Sequence, residues 1–171
     1  MTYTDFYIST HDIDWFVIIN GKLIHVASAG GRIPELIKED LLKPLIFVAN
    51  LPILRDIQEI NTVDSGFLSN KLRISGQEEV DAYLQTFKFM AQKGLYSFDR
   101  TNVSNNEDNS YHLVAWPSND AGRDFEVGQD CPILKIDNDV FDFDQPRNLQ
   151  EVALFEIIER ELNARRRDER E

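Results

Sequence analysis

Cysteine is almost missing from this chain: Cys131 is the one cysteine among 171 residues. An internal disulfide is excluded, and so is a metal centre built on paired cysteines. Long apolar runs are missing too, since nothing approaches the about 18 uninterrupted apolar residues of a membrane span. Residues 1–10 lack the basic start and apolar run of a signal peptide. A reducing compartment, the cytoplasm, is therefore expected. Histidine is scarce: His11, His25 and His112 lie far apart, near no paired Cys and no Glu-x-x-His spacing. No metal and no cofactor is expected on that pattern. Positive charge is short as well, with 18 Lys and Arg against 30 Asp and Glu and a net charge of −12. Phosphates would be repelled, which argues against nucleic acid or anionic lipid as a partner.

What is present suits one globular domain. Hydrophobic residues make up 42%, and 11 Phe, 5 Tyr and 2 Trp supply the bulk of a packed core. Residues 1–164 read as that domain and residues 165–171 as a charged tail. The acidity is local. Between residues 99 and 144 eleven acidic residues stand against Arg100, Arg123 and Lys135, so this stretch holds most of the net charge.

Along the chain, Trp15 to Ile19 and Lys22 to Ala27 flank Asn20-Gly21, the signature of a tight antiparallel hairpin. Pro34 opens a short helix that Pro44 ends. Residues 45–49 form a brief apolar run between Pro44 and Pro52 and read as a buried strand. Ile53, Leu54, Ile57 and Ile60 recur at helical spacing and predict one or two turns. Ser75 with Glu78 matches a capping box, and Val80, Tyr83, Leu84, Phe87 and Ala91 give the apolar stripe of a long helix closed by Gly94. Residues 95–103 and 111–116 read as a second hairpin around a polar, mobile tip at 104–110. Residues 133–136 and 140–144 read as two short strands, the second with Phe141 and Phe143 inward and Asp142 and Asp144 outward. Asn148 and Glu151 repeat the cap pattern before a final helix with a stripe through Phe155, Ile158 and Leu162. The fold expected is α+β: a mainly antiparallel sheet of hairpins with the two long helices, near 76–93 and 148–164, on one face.

Chemistry is poorly signalled. The junction Ser28-Ala29-Gly30-Gly31-Arg32-Ile33-Pro34 is the most site-like segment, because converging amides and Arg32 could hold a carboxylate or phosphate. It matches neither a P-loop nor a dinucleotide fingerprint. Ser28 half-resembles a nucleophile elbow, yet His25, three residues earlier on a strand, would face the other way. Asp137, Asn138, Asp139, Asp142 and Asp144 are oxygen donors without the Gly and Glu of a calcium loop. Cys131 has no basic neighbour to activate it.

These patterns favour a binding module over an enzyme. The expected function is docking of a basic protein partner, in the manner of an inhibitor or immunity protein, through Asp120, Asp124, Asp137, Asp139, Asp142 and Asp144. Tyr96, Phe98, Tyr111, Trp116, Phe125, Phe141 and Phe143 are the aromatic anchors such a face could use. The alternative is a small enzyme or anion-binding domain that uses Ser28, Gly30, Gly31 and Arg32.

Overall fold

The computed structural model describes residues 3–57, 59–118, 124 and 130–168. Helix α1 (Asp5–Thr10) leads into β1 (Asp14–Ile19) and β2 (Lys22–Ala27). The turn between them has φ 51° at Asn20 and 78° at Gly21, the two positive angles that Asn-Gly tolerates. After α2 (Glu35–Lys38) and α3 (Leu42–Asn50) come β3 (Ile60–Thr62), α4 (Ser65–Phe67) and the long α5 (Gln77–Gln92). Strands β4 (Tyr96–Arg100), β5 (Tyr111–Pro117) and β6 (Lys135–Ile136) precede α6 (Leu154–Asp168). The fold is α+β, with one six-stranded sheet in the order β3-β5-β4-β2-β1-β6. Three strand pairs are antiparallel, while β2–β4 and β1–β6 are parallel, so the sheet is mixed.

The long helices lie on opposite faces, contrary to the expectation from sequence. Leu154, Ile158 and Leu162 of α6 pack with Trp15, Val17, Val26, Phe98 and Leu113. On the other face Leu84, Phe87 and Ala91 of α5 meet Ala27, Val114 and Ala115, and Val48 of α3 meets Phe16, Ile18 and Leu23. The cause is visible in β1 and β5, which are apolar at consecutive positions and so bury both faces.

Local departures have local causes. Residues 45–49 are helical in α3 and not a strand. Pro44 sits in the first turn, where its missing N–H costs nothing, and the Lys43 amide donates to Asp40 Oδ1 at 3.2 Å. Residues 53–57 form no helix. The Leu54 amide is drawn to the last turn of α5, donating to Gln92 O at 2.9 Å, and Ile60 starts β3. Helix α5 begins after Gly76, and Glu79 takes the back-bonding role expected of Glu78 by accepting from the Ser75 amide at 2.9 Å. Residues 140–144 are turns, although the alternation survives: Phe141 is buried, Phe143 half-buried, and Asp142 and Asp144 exposed. Helix α6 starts at Leu154; Asn148 closes a 3-10 turn (Pro146–Asn148) instead of capping it. The helix also runs through residues 165–168 of the expected tail.

The loop at 104–110 is pinned from beneath. Arg100 is 1% exposed and donates through Nε to Asp108 O (3.1 Å), through Nη2 to Asn105 O (2.7 Å) and through Nη1 to Ala29 O (3.3 Å). A buried guanidinium persists when its donors are met, and here three backbone carbonyls meet them. Among the described residues no helix is long and apolar enough to cross a membrane.

Candidate functional site

Three places carry the polar chemistry of the molecule. The first surrounds the β1–β2 turn. Asn20 Nδ2 donates to Asn138 O (2.8 Å) and Phe141 O (3.0 Å), while its Oδ1 accepts from the Asn138 amide at 2.8 Å. Asn138 adds a bond to Glu161 Oε1 at 3.1 Å on α6. One side chain in a hairpin turn thus fixes the 137–144 segment. Asp137, Asp139, Asp142 and Asp144 are all exposed on it and make no ion pair among the described residues. Val140, in their midst, is 56% exposed. Asp124 joins the same end of the sheet through an ion pair to Lys22 at 2.7 Å. Asp120 and Phe125 lie outside the described residues. Of the aromatic anchors, Tyr96, Phe98, Tyr111, Trp116 and Phe141 belong to the core and Phe143 packs against Tyr96, so Val140 is the apolar group this surface offers.

The second place is the junction after β2. Ser28 is buried and its Oγ accepts from the Ile13 amide at 2.9 Å, which leaves it no role toward a ligand. The Gly31 amide returns to Ser28 O at 2.7 Å and the Ala29 amide to Asp12 Oδ1 at 2.7 Å. Glycine is required at 31 because a Cβ there would lie 2.8 Å from Ser28 O and 2.9 Å from the Tyr111 hydroxyl. The two glycines therefore serve close packing, and among the described residues the Arg32 guanidinium makes no hydrogen bond or ion pair. Its guanidinium lies 4.2 Å from the centre of the Phe155 ring.

The third place was not visible in the sequence. On the α5 face of the sheet, His25 Nε2 lies 3.0 Å from Asp14 Oδ1 and Nδ1 lies 3.2 Å from Ser97 Oγ. A carboxylate oxygen accepts, so Nε2–H donates to Asp14 and Nδ1 is left to accept from the Ser97 hydroxyl. The strand spacing sets His25 facing away from Ser28, and the strand register gives it Ser97, directly opposite on β4. A hydroxyl, an imidazole and a carboxylate in line form the arrangement of an acyl-transfer relay. Ser97 is fully buried, so no substrate carbonyl can reach it, and the relay acts as a cross-link between three strands.

A second chain runs beside it. Tyr83 on α5 donates to Asp99 Oδ2 at 2.8 Å, His112 Nε2 lies 3.1 Å from the same hydroxyl, and Thr101 Oγ1 lies 3.1 Å from Nδ1. One direction of donation satisfies every atom: Thr101 to His112, His112 to Tyr83, Tyr83 to Asp99. Burial pushes Asp99 up to about 6, against the lowering effect of its bonds from Tyr83 and the Arg100 amide. Burial also drives His112 down to about 4 and raises Tyr83, the latter helped by Asp99. The alternation Tyr96-Ser97-Phe98-Asp99 was the available signal, since it sets two polar residues on one face of a strand.

Among the described residues no group of three or more His, Cys, Asp or Glu is arranged to hold a metal ion. Burial raises the Cys131 thiol, which keeps it in the unreactive form. Compared with family models, curated proteins and solved structures, the chain matches none.

Proposed function

We propose that this chain is a cytoplasmic, non-enzymatic binding module that docks a basic protein segment on the acidic end of its sheet. The observation that carries the reading is the Asn20 clamp on Asn138 and Phe141, which anchors a segment bearing Val140 and four exposed carboxylates that make no ion pair among the described residues. Like charges held close together repel one another in the free protein, and a basic partner relieves that repulsion. Long-range attraction then speeds encounter, and a preordered loop loses little entropy on binding. The closed burial of Ser97 supports binding over catalysis.

The partner would be recovered from native extract at low salt, purified, and titrated with three forms of the chain. Replacing Asp137, Asp139, Asp142 and Asp144 together by Asn should weaken the complex at least about tenfold and flatten its salt dependence. Asn20→Gly keeps the turn and the charge but frees the loop, and it should lower affinity while preserving the salt slope. A partner that binds all three forms equally, or no salt-released partner at all, would refute the reading.

A further inference from the structure

A cleft of about 510 Å³ opens between α1, the Gly30–Ile33 junction, α2 and α6, on the face of the sheet opposite α5. That volume falls among small-molecule sites, which span roughly 300–1,000 Å³. Its charges do not all balance internally. Lys38 Nζ holds Asp5 Oδ1 at 2.9 Å and Glu35 Oε1 at 2.8 Å, and those carboxylates keep it protonated. Glu159 Oε1 is taken by the Glu35 amide at 2.9 Å. Of the two cations lining the cleft, Arg32 is the one that makes no ion pair among the described residues, although the chain carries a net charge of −12.

The Arg32 guanidinium carbon lies over the Phe155 ring, 4.2 Å from its centre, in a cation–π contact. That contact positions an exposed guanidinium, whose planar fork of N–H donors suits a carboxylate through two parallel bonds. Ile8, Ile33 and Phe155 supply an apolar wall beside it. The three carboxylates on the rim set the charge limit. A doubly charged phosphate would meet Asp5, Glu35 and Glu159 at close range, whereas a single carboxylate can be matched by Arg32 alone.

We infer that this cleft binds a small monocarboxylate with an apolar or aromatic body, held by Arg32 on its Phe155 platform. The site is separate from the proposed docking end and does not depend on it.

Phenylacetate, phenylacetamide and inorganic phosphate would be titrated at constant ionic strength into the isotope-labelled 171-residue chain, with backbone amide shifts as the readout. Phenylacetate should bind saturably and shift the amides of Gly30, Gly31, Ile33 and Phe155. Phenylacetamide, which has the same body without the charge, and phosphate should bind at least about tenfold more weakly. Arg32→Ala should lose at least about tenfold in phenylacetate affinity, and Arg32→Lys should fall between it and the native chain, because it keeps the charge without the fork. The spectrum outside the cleft reports that each variant is folded. Phenylacetate affinity unchanged in Arg32→Ala, amide or phosphate bound as well as carboxylate, or no saturable binding of phenylacetate overturns the inference.

Discussion

Asp99→Asn should expose a pH dependence that the native chain conceals. Folding raises Asp99 from 3.8 to about 6, so the folded state holds that proton more tightly than the unfolded state. Its ionised form costs stability at neutral pH, and the cost is relieved as pH falls through about 6 toward 3.8, a gain of about 3 kcal/mol at the limit. His112 runs the other way. Folding lowers it from 6.5 to about 4, so the unfolded chain takes up a proton first and stability is lost from 6.5 down to about 4, again by about 3 kcal/mol. The two slopes cover the same window with opposite sign and nearly cancel. Asparagine keeps the shape of Asp99 and an acceptor for Tyr83 or the Arg100 amide while removing the titration. Relative to the native chain, Asp99→Asn should be as stable or more stable near pH 8 and should lose about 2 kcal/mol of that relative standing by pH 4. Urea unfolding at a series of pH values, followed by the fluorescence of the buried Trp15 and Trp116, measures the difference, in which every other titration cancels. Adding His112→Asn to Asp99→Asn should restore a flat profile. A native-to-variant gap that stays constant across the range would refute the reasoning.

Other consequences are simpler to measure. Gly31→Ala should destabilise by about 2 kcal/mol in the same unfolding assay, because the new carbon meets the Ser28 backbone oxygen at 2.8 Å and cannot displace it cheaply. Arg100→Met removes two bonds to carbonyls of the 104–110 loop and one to Ala29 O and should cost about 3 kcal/mol. The same variant should make residues 101–110 a new site of limited proteolysis. Val48→Ala empties a fully buried position between α3 and the sheet and should cost about 1–3 kcal/mol. A neutral result there would place α3 outside the cooperative core.

The parts of the fold that were legible in the sequence are those decided by neighbours. Asn20-Gly21 fixes its own turn geometry, and the Val80 to Ala91 stripe fixes α5, because the causes lie within a few residues. Helix α3 was illegible because Pro44 looks like a helix end unless the helix is known to start at Leu42. The candidate sites were legible in charge and illegible in geometry. The acidic count included Asp99, which is mostly buried beside Tyr83, and set Arg100 against it as a surface cation, although Arg100 is buried among carbonyls. His25 and Ser97 are 72 residues apart, so only the β2–β4 register could bring them together. Arg32 was visible, but its Phe155 platform comes from α6 at the far end of the chain.

The parallel pairing of β2 with β4 bears on how the chain reaches this state. These strands sit at the centre of the sheet, yet the helices on one of its faces, α3, α4 and α5, lie in the chain between them. The central seam can zip only after that long excursion has closed on itself, so the pairing at the middle of the sheet is between residues far apart in sequence. High contact order of this kind slows folding into the range of about milliseconds to seconds. Substitutions along the seam, at Ile24, Val26, Tyr96 or Phe98, should therefore register first as slower refolding.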